Sequence, residues 1–312
     1  MLTHFASIII TLFACSAEIE TEPVVVTEER APIVVDLTIQ PVQGSLELSE
    51  MEYTNIHLLQ LLNKGDLEPI EDLVLRQNRL NGDAIKILSR SKRLSELKSL
   101  DLSYNKIGNK GAKRLSKAKF LSSVETINLE RTDLGPKGSQ KLIASPYFKP
   151  KEVIIGSNKL TSRAAVPLSI LPSIVYLDIS SAHINKEGCA RILAQTNAET
   201  LKMGKNQIGF PEDNILSSNL RELWLTNSRL QNESVLRLSE QTAPNLKLLY
   251  LGKIFINDST LKQLTQAPWF EQIEFLSLDA PTTSPQARKD FLKAYGSHRW
   301  IEINKDDFES EE

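Results

Sequence analysis

One short pattern recurs along most of this 312-residue chain. Two apolar residues flank a single position at Leu73/Leu75, Leu100/Leu102, Ile127/Leu129, Val153/Ile155, Leu177/Ile179, Leu201/Met203, Leu223/Leu225, Leu249/Leu251 and Leu276/Leu278. Successive pairs lie about 22 to 27 residues apart, a period that marks stacked repeats. Length alone would suggest two ordinary domains, but a sustained repeat overrides that expectation and predicts one solenoid.

Each pair reads as a short strand, with its apolar side chains on one face and the intervening one on the other. Three residues past the pair stands Asn78, Asn105, Asn158 or Asn206, replaced in other units by Thr132, Ala182, Ser228 or Ile254. A further apolar residue follows at Leu80, Ile107, Leu134, Leu160, Ile184, Ile208, Leu230 and Ile256, so the unit reads LxLxxNxL. An asparagine there can hydrogen-bond backbone groups of the bend, each of which costs roughly 1–3 kcal/mol when buried unpaired. Stacking predicts an asparagine ladder, with looser or water-bridged turns at Ala182 and Ile254.

After the bends, IGNKGAKRL, LGPKGSQKL and INKEGCARIL predict helices opened by Gly111, Gly138 and Gly188. The small residues that follow, Ala112, Ser139 and Cys189, let each helix approach the sheet. On these motifs, residues 70–303 resemble the leucine-rich-repeat family, most closely its longer-repeat, ribonuclease-inhibitor-like class. The resemblance implies an α/β horseshoe with a parallel sheet on the concave face and helices on the convex face.

The ends divide the rest of the chain. Repeats fill 70–283, and an N-terminal cap helix lies within 51–69, its apolar spacing set by Ile56, Leu59 and Leu62. Residues 284–312 form a C-terminal cap and an acidic tail, with a helix around Phe291 and Leu292 and a closing strand around Trp300, Ile301 and Ile303. Residues 16–50, punctuated by Pro23, Pro32 and Pro41, read as an extended tether or as an N-terminal cap strand.

Residues 1–15 read as a signal peptide, because the apolar stretch from Phe5 to Ala14 is too short to cross a bilayer as a helix. Leu12-Phe13-Ala14-Cys15 resembles a bacterial lipobox, which implies lipidation of Cys15 and, with Ser16 rather than aspartate next, an outer-membrane lipoprotein in the cell envelope. The alternatives are a cleaved signal with a secreted or periplasmic product, and a cytosolic protein with an apolar start. The only other cysteine, Cys189, stands where sister repeats have Ala112 and Ser139 and reads as a core residue.

A net charge of −2 gives no electrostatic case for nucleic-acid binding. The four histidines are scattered, and HExxH, CxxC, GxSxG and a phosphate-binding GxxxxGK[ST] loop are all lacking, so the sequence predicts neither an enzyme nor a metal or other cofactor. Lys110, Lys113, Arg114, Lys117 and Lys119 crowd one helix and read as its solvated side. Phe120, Phe148, Trp269 and Phe270 precede strands and read as core pegs.

The outward positions of the strands carry the functional expectation. Trp224 and Tyr250 occupy the same register on consecutive repeats and should be neighbours. Tyr176, Lys202, Leu248 and Phe275 join them, with Asp178, Glu222 and Asp279 nearby to favour a basic partner. Exposed aromatics on an uncovered sheet lose burial energy of roughly 1.5–3 kcal/mol each, which a protein or peptide would restore. The sequence thus predicts a monomeric, non-enzymatic protein-binding module on the bacterial envelope, touching the membrane through its lipid alone. An enzyme inhibitor or regulator, or a structural envelope scaffold, are the alternatives, and mutual packing of the aromatics without a ligand is the plain reading of the same residues.

Overall fold

The computed structural model describes residues 39–64, 68–296 and the backbone of 300–302. The signal peptide, Cys15, most of the expected tether and the acidic tail lie outside these residues. Eleven strands form one sheet in chain order: β1 Ser45–Glu47, β2 Asp72–Val74, β3 Ser99–Asp101, β4 Thr126–Asn128, β5 Glu152–Ile154, β6 Tyr176–Asp178, β7 Thr200–Lys202, β8 Glu222–Trp224, β9 Leu248–Lys253, β10 Phe275–Asp279 and β11 Trp300–Glu302. Every pairing is parallel, and the first apolar residue of each unit is matched to that of the next, as in Leu73↔Leu100 and Leu223↔Leu249. Both members of each pair are buried. The result is the open, curved α/β solenoid expected.

Helices return the chain on the other side: α1 Asn55–Leu62, α2 Ala84–Leu88, α3 Gly108–Leu115, α4 Pro136–Ile143, α5 Thr161–Ser169, α6 Lys186–Gln195, α7 Asn232–Ser239, α8 Asp258–Leu264 and α9 Pro285–Tyr295. Where successive pairs are closest in sequence, between β7 and β8, the connection contains no helix. Glycine sets the spacing of α3 and α4, since a Cβ on Gly138 would come 2.7 Å from Cα of Asn109. Cys189 is fully buried in α6, and burial pushes its thiol up to about 12, so it is a core residue as expected.

Within 16–50, read as a tether or an N-terminal cap strand, Ser45–Glu47 is a strand of the sheet, with Leu46 and Leu48 a further buried pair followed by Met51 where asparagine would stand. Two local expectations are corrected. In α1 the inward face is Leu58, Leu61 and Leu62, while Ile56 (67% exposed) and Leu59 (43%) point away. Phe148, Trp269 and Phe270 are core pegs, but Phe120 remains partly exposed within a 3-10 turn.

The asparagines act across repeats. Asn206 Nδ2 donates to the carbonyls of Met203 and Gly204 in its own bend and of Ile179 in the preceding unit, at 2.9, 3.3 and 3.0 Å. Its Oδ1 accepts from the preceding unit's Ala182 and Ile184 N–H groups, both at 3.1 Å. Asn158 does the same for Leu129, Thr132 and Leu134. The bends so served contain a left-handed residue, Asp133 (φ 58°) or His183 (φ 59°), between the two converging N–H groups.

The turn at Ala182 is therefore neither loose nor water-bridged: Ala182 is fully buried and its N–H is satisfied by the next repeat. At Ile254, also fully buried, the bend closes through the Ile254 N–H to Asp279 O and the Phe255 N–H to Leu230 O. In the bend one unit upstream, Ser228 Oγ is buried with no hydrogen-bond partner. Replacing Asn206 with alanine should lower stability by about 3 kcal/mol, whereas Thr132→Val, which removes one bond to Leu129 O, should cost about 1 kcal/mol. Urea unfolding of the two variants tests this, and equal losses would show that the cross-repeat bonds do not carry the bends.

A candidate binding face on the concave sheet

On the uncovered face of the sheet, alternation along each strand leaves two outward rows. One row runs Glu152, Tyr176, Thr200, Glu222, Leu248, Phe275 and the backbone position of Trp300. The other runs Ile154, Asp178, Lys202, Trp224, Tyr250 and Ser277. Every one of the expected contact residues, Tyr176, Asp178, Lys202, Glu222, Trp224, Leu248, Tyr250 and Phe275, is partly exposed on this face.

The C-terminal half of the face is a continuous π-rich strip. The Trp224 and Tyr250 rings stack with centroids 3.6 Å apart and planes 11° from parallel, and Phe275 follows at 5.0 Å. At the other end, Lys202 Nζ lies 4.2 Å from the Trp224 ring and 5.5 Å from that of Tyr176, a cation held between two aromatic faces. Burial raises the Tyr176 phenol pKa, opposed by Lys202 beside it. The aromatics do pack against one another, as the ligand-free reading proposes, yet they remain partly open to solvent.

Polar neighbours fix the strip. Trp224 Nε1 donates to Glu222 Oε1 at 2.6 Å, and the Thr200 hydroxyl donates to Glu222 Oε2 at 3.0 Å. Glu222 thus orients the indole, a role its spacing did not reveal. Asp178 Oδ1 accepts from the Ser180 N–H at 2.9 Å, whereas Asp279 Oδ1 is buried without a hydrogen-bond partner. In the N-terminal half, Asp101 instead binds Asn128 Nδ2 (2.9 Å) and the Ser103 N–H (2.7 Å), so polar groups there satisfy one another.

Arg114 and Lys110 pair with Asp83 at 2.6 and 3.5 Å on the helical side, and these cations hold the Asp83 carboxyl below its ordinary pKa against desolvation by burial, which raises it. Among the described residues, no cluster of histidine, cysteine or carboxylate side chains suits a metal ion, and no helix is long and apolar enough to cross a membrane.

Short parallel strands, asparagine-bonded bends and returning helices define an open α/β solenoid of stacked repeats. Residues 95–116 match the family model described as Leucine Rich repeat. The chain has no match among curated proteins. Among solved structures it is similar to a chain in the complex of Rad7 and Elc1 from yeast, with 14% identity, coverage of 84% of this chain and 74% of that one, and a TM-score of 0.45. It is also similar to an internalin, InlF, from Listeria monocytogenes, with 18% identity, coverage of 70% and 69%, and a TM-score of 0.40.

A double-mutant cycle between Trp224→Ala and Tyr250→Ala should show a coupling of about 0.5–1.5 kcal/mol in chemical unfolding. A coupling near zero would mean that the rings do not stack in solution.

Proposed function

We propose that this chain is a non-catalytic protein-binding module of the longer-repeat, ribonuclease-inhibitor-like kind, which engages its partner through the concave face of the C-terminal half. The observation that carries this reading is the stacked Trp224–Tyr250–Phe275 strip, rigidly oriented yet left partly open on a sheet face that no helix covers. Tryptophan and tyrosine are the usual anchors of protein interfaces, and a pre-ordered pair loses little side-chain entropy on binding. Leu248 adds apolar surface between Glu222 and Phe275.

Its mechanism is shape presentation. In a solenoid each unit contacts only its neighbours, so the register of the sheet fixes the spacing of the contact residues. A W224A/Y250A double variant should lose its crosslinked protein neighbours in intact cells while keeping its circular dichroism. Unchanged crosslinking would reject the face as the contact site.

For its place in the cell, the reading is a lipoprotein of the bacterial envelope, supported by the Leu12-Phe13-Ala14-Cys15 sequence and the proline-bearing stretch between it and the first strand. Lipidation of Cys15 would display the solenoid from the outer membrane. Cys15→Ala should then move the protein from the membrane to the soluble fraction, and mass spectrometry of the mature N-terminus should find the acylated cysteine only in the parent chain. An unmodified N-terminus beginning elsewhere would favour the secreted or periplasmic alternative.

A further inference from the structure

The two edges of the sheet treat charge in opposite ways. Along the edge where strands begin, charges pair from one unit to the next: Lys98–Glu71 at 2.5 Å, Lys151–Glu125 at 2.8 Å, Arg221–Glu199 at 3.4 Å and Lys247–Glu274 at 3.2 Å. Along the edge where strands end, the bends present Lys106, Arg131, Lys159, Lys205, Arg229 and Lys253, all exposed and, among the described residues, none in an ion pair. Arg79 opens this row but is paired with Glu52, and Asp133 interrupts it.

The fold itself makes the row. The second residue past each apolar pair is left-handed at Arg131 (φ 49°) and Lys205 (φ 55°), as is the fourth at Arg229 (φ 51°). Six of the seven bends after β3 to β9 carry such a cation, the bend after β6 being the exception, and along strands spaced about 4.8 Å apart they give a broken line of positive charge on a protein whose net charge is −2.

We propose that this edge binds an acidic polysaccharide, a linear chain bearing carboxylates and hydroxyls. The positive line supplies complementarity to a linear polyanion. Between the cations stand hydroxyl and amide side chains, and Ser181, Gln207 and Asn227 share with Lys205 and Arg229 a crevice of about 520 Å³. Such groups suit a hydroxyl-rich ligand. A protein interface or a bilayer would draw on apolar anchors, yet Met51 and Phe255 are the exposed large hydrophobic residues of these bends among those described. The row borders the aromatic strip at the ends of its strands, Lys253 standing three residues beyond Tyr250 on β9.

The test uses the full chain and alginate, a polymer of uronic acids, followed by titration calorimetry. Alginate should bind, neutral dextran should not, and affinity should fall as salt rises from about 50 mM to about 0.3 M. The triple variant Lys159→Glu, Lys205→Glu, Arg229→Glu should weaken binding at least about tenfold. Its milder counterpart, Lys205→Gln with Arg229→Gln, should weaken binding in the same direction should the triple variant not fold. Lys151→Gln with Arg221→Gln, on the paired edge, should leave affinity unchanged. The proposal is overturned by absent alginate binding at low salt, by equal losses from the two edges, or by tighter binding to poly-glutamate or to phosphatidylglycerol vesicles.

Discussion

A strand of three residues leaves as much backbone in the bends as in the sheet, and here the bends are buried along with it. Unpaired amide groups in that interior would outweigh the gain from burying the leucines. The asparagine side chain resolves the conflict because it donates and accepts at once. Asn158 and Asn206 each tie two carbonyls of their own bend to the bend before. The register of the sheet, and hence the placement of every outward side chain, rests on those bonds.

Fixed register explains why the concave face has two characters. Where Asp101 and Asn128 face each other, the surface is closed in on itself by hydrogen bonds. Where Trp224 and Tyr250 face each other, the rings satisfy only their flanks, and Glu222, two residues back on the same strand and face, anchors the indole. The aromatic half has a preferred geometry without a complete set of contacts, which is the condition of a preorganised interface.

Much of this was legible in the sequence. The apolar pairs gave the strands, their period gave the stack, and shared register brought Trp224 beside Tyr250. What escaped reading was non-local. The Ala182 bend looks unsupported in its own unit, because its acceptor lies in Asn206. Leu46/Leu48 went unnoticed because Met51 replaces the asparagine that would have marked it. Glu222 looks like a charge awaiting a partner until its bonds to Trp224 and Thr200 are seen. The unpaired basic edge emerges only when bends some 25 residues apart are set side by side.

From Asn105 to Ser228 the bends alternate between those with asparagine and those without: Asn105, Thr132, Asn158, Ala182, Asn206, Ser228. One amide serves its own turn and the left-handed turn ahead of it, so two units together are the smallest self-sufficient module. Loss or duplication of a single unit would set two amide-free bends side by side or make one amide redundant. Ser228 and Ile254 already stand as two amide-free bends in succession, and there the turn closes by backbone bonds to Asp279 and Leu230 instead.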